Sequence, residues 1–462
     1  MDTGFFRLDG DKPFYTQIYT SIKRAIEEGQ LEAHQRLPSI RSLADGLSVS
    51  KITVERAYEQ LYDEGYIIKN PNARYTVAEF NLPRWVPSHP NTIPLPKKDR
   101  TPLFDFSSGH MDREGFDFAI WRKYLNRTFD DKLPLMEYGN IYGEKNLRQE
   151  ICSYLFQSRG VSTQPEQIII GANAQVLLSL LCQLLDKEKD QIAFEDPGFA
   201  YGRQIFSNYG FPIHPMSMGT QGFDIQGLAH CKANLCYVSP SHQFPTGTVM
   251  SVVQRSRLLN WADAPNNLII EDDYDSEFRY YGNPIPALKG LDKYEKVVYL
   301  GSFSKIIPPS IRVSYMLLPL PLLQKLFTQS TPYSQTASTI DQLTLAAYLA
   351  DGELERQVRR LRKRYQEKRE HCIALLHAIF HGKATLFDNK SGLFVVMQLH
   401  NTCSGQELAR RALCVGCKVA PITDFAVTPT HDSRILLYFS GIPSESMGEG
   451  LQRLHDAWFP PS

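Results

Sequence analysis

Two short stretches carry residue types that could do chemistry together. Glu271-Asp272-Asp273-Tyr274-Asp275 follows the apolar run Leu268-Ile269-Ile270, and Gly301-Ser302-Phe303-Ser304-Lys305 follows Val297-Val298-Tyr299-Leu300. Each run reads as a buried strand with polar residues at its C-terminal end. Ligands of open α/β sheets bind at those ends. An acid and a lysine arriving there together suit a pyridine-aldehyde cofactor. The lysine forms a Schiff base, and the carboxylate keeps the ring nitrogen protonated so that the ring draws electrons. Taken singly, either stretch also suits a solvated loop. Their order, with Arg312 on the next apolar run, favours a site.

Three further turns would have to surround such a cofactor. Ile168-Ile169-Ile170 ends in Gly171-Ala172-Asn173-Ala174-Gln175 and opens into a helix predicted over Val176 to Leu185. Free N–H groups and the positive dipole end at a helix start make a phosphate cup. Glu195-Asp196-Pro197-Gly198-Phe199 turns sharply and presents Phe199, either to stack on a cofactor or to fill the core. Ser239 to Gly247 is a rigid loop in which His242 is a hydrogen-bond partner or a plain loop residue.

The composition bounds the setting. A chain of 462 residues, 42% hydrophobic and 22% charged, suggests a soluble protein of two or three domains. No apolar run is long enough for a bilayer; Val176 to Leu185 comes nearest, and Ser179 and Gln183 interrupt it. Asp2, Asp9 and Asp11 argue against a signal peptide. Cys414 and Cys417 form one Cys-x-x-Cys pair, with no second pair or histidine motif, so no metal is expected and a reduced cytoplasm is the expected location. A formal net charge of zero argues against whole-protein nucleic-acid affinity, though not against a local patch.

Residues 1–80 have their own texture. Phe14, Ile18, Ile22, Ala25 and Ile26 keep helical spacing; Ser39 caps a second helix and Ser50 a third, whose inner stripe is Val54, Ala57, Tyr58 and Leu61. After Gly65, Tyr66-Ile67-Ile68 and Tyr75-Thr76-Val77 can pair as a hairpin. This is a winged helix-turn-helix plan, with Ser39, Ser50, Lys51, Thr53 and Arg56 facing DNA and Arg36 and Arg41 on its phosphates. A three-helix interaction module is the plainer alternative. Ten Lys/Arg stand against twelve Asp/Glu over residues 1–80, but residues 36–56 carry four cations against two acids. Residues 81–103 are proline-rich and read as an extended linker. Beyond it, strand-like runs alternate with helical ones, the pattern of a mostly parallel sheet covered by helices.

Leu37-Pro38-Ser39-Ile40-Arg41-Ser42-Leu43-Ala44, Val49-Ser50-Lys51-Ile52-Thr53-Val54 and Glu64-Gly65-Tyr66-Ile67 resemble the GntR-type winged helix. The wing departs from that pattern, with Asn70-Pro71-Asn72-Ala73-Arg74 where Gly-x-Gly is usual. Residues 104–462 resemble fold-type I aminotransferases. More closely, Pro240-Ser241-His242-Gln243-Phe244-Pro245-Thr246-Gly247 and Glu271 to Phe278 resemble the MocR/GabR regulators, which fuse the two domains in this order.

The resemblance implies pyridoxal 5'-phosphate in internal aldimine with Lys305, Asp272 on the pyridine nitrogen and Tyr274 on the phenolic oxygen. It implies a phosphate site at Ala172, Asn173, Ala174, Ser302, Ser304 and Arg312, and Tyr138 reaching a neighbouring subunit's phosphate in a homodimer. For the effector's carboxylate the resemblance implies Arg434, which equally suits a surface strand residue, with Arg203 the less favoured alternative. Phe244 stands where aminotransferases have Asn, and Ser310 where a glycine is usual near Arg312. The implied function is a regulator of a double-stranded DNA operator that senses an amino compound through an external aldimine. An active aminotransferase with an accessory DNA-binding domain, and a DNA-binding scaffold using the cofactor only for stability, are the alternatives.

Overall fold

The computed structural model describes residues 12–70, 74–79, 101–130, 133–219, 222–282, 285–328, 334–387, 391–428 and 432–460. The expected linker, apart from residues 101–103, and the tip of the wing at 71–73 lie outside the described residues. The chain divides into two compact units, Met1–Asp99 and Arg100–Ser462.

In the first unit α1 (Phe14–Glu27), α2 (Ile40–Leu47) and α3 (Lys51–Asp63) precede an antiparallel pair, β1 (Ile67–Lys69) and β2 (Tyr75–Val77). The helices start where short polar side chains can satisfy free N–H groups. Ser39 Oγ accepts from Ser42 N at 3.1 Å, and Ser50 Oγ from Thr53 N at 3.2 Å. Ile18, Val54, Ala57, Tyr58 and Leu61 are fully buried between the helices, as the helical spacing requires. Tyr58 carries a polar tip into that core and discharges it on Pro38 O at 3.0 Å.

The second unit is built on an eight-stranded sheet. Its strands are β3 (Ile168–Gly171), β4 (Ile192–Asp196), β5 (Ile213–Gly219), β6 (Gly222–Phe223), β7 (Leu235–Val238), β8 (Leu268–Asp273), β9 (Val297–Ser302) and β10 (Ser314–Leu317). They lie in the order β3-β10-β9-β8-β7-β4-β5-β6. Strands β4, β5, β7, β8 and β9 are mutually parallel, whereas β10 runs antiparallel between β9 and β3. Nearly all their apolar side chains are buried, because helices cover both faces of such a sheet. The covering helices include α4 (Lys145–Arg159), α5 (Ala174–Leu184) and α6 (Ala200–Asn208). Helix α5 begins two residues before its predicted start, because Asn173 Oδ1 caps it by accepting from Val176 N at 3.0 Å.

After the 27-residue helix α7 (Glu353–Ile379) comes an antiparallel sheet in the order β11-β12-β14-β13. Its strands are β11 (Ala384–Phe387), β12 (Phe394–Leu399), β13 (Ala420–Pro421) and β14 (Arg434–Tyr438). No helix among the described residues is long and apolar enough to cross a membrane.

Candidate cofactor and effector site

Strands β8 and β9 are parallel neighbours, with Leu300 opposite Asp272 and Gly301 opposite Asp273. The two polar stretches read from the sequence therefore leave the sheet side by side. They open into a cavity of about 620 Å³ lined by Asn173, Ala174, Phe199, Phe244, Asp272, Tyr274, Ser302, Ser304, Lys305, Arg312, Ser314, Phe425 and Tyr438, among others.

The acid is prepared by its neighbours. Tyr237, on adjacent β7, donates from Oη to Asp272 Oδ2 at 2.6 Å. Burial pushes the Asp272 carboxyl up to about 7, the Tyr237 hydrogen bond opposes it, and the charges of Asp273 and Asp275 add to it. A cationic ring nitrogen beside Asp272 would reverse that shift, since an opposite charge favours the ionised form. Tyr237 is in turn sandwiched, with ring centroids 4.8 Å from Phe194 and 6.1 Å from Phe199. Phe199 packs against one apolar core cluster and also lines the cavity.

Lys305 Nζ donates to Gly109 O at 2.9 Å, and burial lowers its proton affinity. That favours the neutral amine, the form that attacks a carbonyl. Gly109 cannot carry a side chain, since a Cβ there would lie 2.8 Å from Lys305 Nζ and 2.7 Å from the Tyr438 ring. Tyr274 Oη lies 3.2 Å from His242 Nδ1, and burial holds its phenol proton well above the ordinary range.

The N-terminus of α5 and a serine cluster form the far end. Ser302 Oγ lies 2.8 Å from Ser304 Oγ and accepts from Ser314 Oγ at 3.0 Å. Arg312 adopts φ 56°, the left-handed region, while Ser310 has no positive φ, so the missing glycine strains nothing there. Free N–H groups, three hydroxyls and a guanidinium around one end suit a phosphate.

Some expected residues fall elsewhere. Ala172 is not among the lining residues, and its N–H is taken by Thr336 Oγ1 at 3.0 Å. Arg434 is also outside the lining, with Nη2 donating to Asp432 Oδ2 at 2.6 Å. Arg203 is likewise outside the lining; its Nη2 donates to the carbonyl of Phe425 at 3.2 Å, and its buried Nη1 has no partner among the described residues. Tyr138 is fully exposed on this single chain, beside Leu133 and Met136 at 79% and 83% exposure. No signal in the sequence marks Tyr237, Ser314 and Tyr438, which sit within apolar runs, or Phe425, which ends the short 3-10 turn Ile422–Phe425.

In the first unit Arg36, Ser39, Arg41, Ser50, Lys51 and Arg56 are exposed. Thr53 is half-buried, with its hydroxyl 2.8 Å from Ser50 Oγ, so it serves the helix cap. Ile52, 64% exposed beside Lys51, was not singled out from the sequence.

Residues 14–77 match the family described as "Bacterial regulatory proteins, gntR family", and residues 101–454 match "Aminotransferase class I and II". The uncharacterized HTH-type transcriptional regulator YdeL of Bacillus subtilis is 38% identical, over 99% of this chain and 99% of its own. The probable rhizopine catabolism regulatory protein MocR of Rhizobium meliloti is 30% identical over 97% and 94%. LysN, an α-aminoadipate aminotransferase from Thermus thermophilus solved with N-(5'-phosphopyridoxyl)-L-leucine, superposes with a TM-score of 0.70 at 25% identity, covering 77% of this chain and 91% of its own. The chain therefore belongs to the MocR-type transcriptional regulators, in which a GntR-family helix-turn-helix domain is joined to an aminotransferase-like domain.

Proposed function

We propose that this regulator binds pyridoxal 5'-phosphate in the cavity at Lys305 and uses it to sense an amino compound, changing how the helix-turn-helix units engage a double-stranded DNA operator. The observation that carries this reading is the convergence of Asp272, from β8, and Lys305, just beyond β9, on one cavity that also offers an anion-binding end. When bound, the cofactor supplies an electron-poor aldehyde that holds an amine as a Schiff base. Asp272 would pair with its ring nitrogen and Tyr274 would donate to its phenolic oxygen. Ser302, Ser304, Arg312 and the backbone around Asn173 and Ala174 hold the phosphate.

An effector's amine would take the place of the Lys305 amine on the cofactor, and its acidic group, if it has one, would meet Arg203. The unpartnered Nη1 of Arg203 supports that choice over Arg434. The effector acts by binding one conformation of the second unit better than another. Exposed Tyr138, Leu133 and Met136 support a homodimer, since such apolar patches mark interfaces. The protein works in the cytoplasm, where its DNA is.

A catalytically active aminotransferase with an accessory DNA-binding domain is the second reading, favoured by an intact lysine and acid in the cavity. Absorbance of the cofactor-loaded protein with a panel of amino compounds separates the two. A stable spectral change without keto-acid product supports sensing, and steady product formation overturns it.

A further inference from the structure

One buried histidine at the edge of this cavity has no role in the reading above. His242, 3% exposed, lies in the loop after β7. Its Nδ1 is 2.8 Å from Asp275 Oδ2 and 3.2 Å from Tyr274 Oη. A ring nitrogen carries one proton at most, and a carboxylate only accepts. Asp275 therefore draws the Nδ1 proton toward itself. Tyr274 Oη then faces an N–H rather than a lone pair, and can only accept there. Its own O–H is left to point elsewhere, and Tyr274 lines the cavity. We propose that His242, held by Asp275, is a positioning residue that keeps the Tyr274 hydroxyl a hydrogen-bond donor into the cavity.

The ring is fixed from its other side by the second sheet. It stacks on Phe394 of β12, centroids 4.8 Å apart at 28°. Gly392 passes so close that a Cβ would lie 1.9 Å from His242 Cε1. Gly392 is itself anchored, donating to Phe278 O at 2.8 Å and accepting from Tyr280 Oη at 2.7 Å. Beside Tyr274 and Asp275, the charged groups around His242 are Arg159 and Arg279, which line a small void beneath the ring. Arg159 is committed to Asp273 at 2.7 Å and to Ser241 Oγ at 2.6 Å. Asp275 is thus the group that orients the imidazole.

The inference rests on the cofactor reading, in which Tyr274 donates to the ring's phenolic oxygen. A donor there stabilises the unprotonated Schiff base of Lys305, so its loss raises the pH at which that Schiff base releases its proton. The test is a pH titration of the Schiff-base absorbance in full-length, cofactor-loaded protein.

His242→Phe, which can keep the stacking on Phe394, should raise the midpoint by on the order of one pH unit, in the direction of Tyr274→Phe. His242→Asn, whose side-chain amide can stand in for Nδ1–H, should return it toward wild type. The double variant His242→Phe/Tyr274→Phe should match Tyr274→Phe alone. A midpoint unchanged by His242→Phe, or a His242→Phe shift that adds in full to that of Tyr274→Phe, overturns the proposal. If the wild type forms no Schiff-base band with pyridoxal phosphate, the cofactor reading itself fails and takes this one with it.

Discussion

Asp432 holds Arg434 in a fork, accepting from Nε at 2.9 Å and from Nη2 at 2.6 Å. A guanidinium paired in this way is already neutralised, and a ligand carboxylate would have to displace or share its partner. Arg203 instead keeps a buried Nη1 unpartnered. Arg203→Ala should therefore abolish most of the rise in melting temperature produced by an acidic effector, and Arg434→Ala should keep it. A ligand at a hundred times its Kd stabilises by about 2.7 kcal/mol, so the difference is readily measured. The reverse pattern would give the carboxylate to Arg434.

Lys305→Ala removes the amine that donates to Gly109 O but leaves the Gly109 backbone in place. The variant should fold, keep DNA binding, and lose both the Schiff-base band and the response to effector. Absorbance and a DNA mobility shift with and without effector check this. A retained response would show that sensing does not pass through the lysine.

Buried carboxyls should give the cofactor-free protein an unusual pH dependence. Burial pushes Asp272 and Glu277 up to about 7 and Glu195 to about 8. The unfolded chain loses these protons near the ordinary carboxylate value, so from about pH 4.5 to 7 it binds fewer protons than the folded protein. Stability therefore falls as pH rises through that window, by at most about 1.4 kcal/mol per pH unit for each such carboxyl. The share of Asp272 is smaller than that limit, because the cavity admits water to one side of it. Melting temperatures should drop between about pH 5.5 and 7, and Asp272→Asn should flatten the slope. An equal slope in that variant would mean Asp272 is ionised throughout.

Ser50 satisfies the first turn of α3 through Thr53 N and also engages the Thr53 hydroxyl. Ser50→Ala should cost the first unit about 1 kcal/mol, read as an earlier melting transition. Arg56→Ala leaves that packing alone, since Arg56 is exposed, and should weaken DNA binding with a shallower salt dependence. Unaltered affinity in Arg56→Ala would place the DNA on another face.

Gly392 adopts φ 75° against the ring of His242. Gly392→Ala forces a methyl into that ring and an L-residue into left-handed backbone, so it should destabilise the second unit by about 2 kcal/mol or more. Chemical unfolding of the isolated variant against wild type measures it. A neutral effect would show that the loop before β12 can move away from the histidine.

The strands that carry Asp272 and lead to Lys305 are legible because each is a short, β-branched-rich apolar run ending in polar residues, too short for a buried helix. The three helices of the first unit were legible for a similar reason. Ser39 and Ser50 are short hydroxyl side chains placed one residue before apolar stripes of helical period, and both turned out to be caps. The start of α5 lies ahead of its apolar run because Asn173, which reads as part of the preceding turn, caps the helix.

Local sequence determined which residue types stand at each strand end, since backbone period and burial act over only a few neighbours. It also carried the domain order and the lysine, acid and tyrosine of the site. What needed tertiary structure was every relationship between distant segments. Tyr237 on Asp272, Asp432 on Arg434, Thr336 on the Ala172 amide and the Asp275–His242–Tyr274 contact each join residues whose meeting depends on strand order and loop course. Hydrogen bonds and desolvation act over a few ångströms of space, whatever the spacing along the chain. The same residue type therefore ends paired with a carboxylate at 434, and at 203 bonded to a carbonyl with Nη1 unpartnered among the described residues.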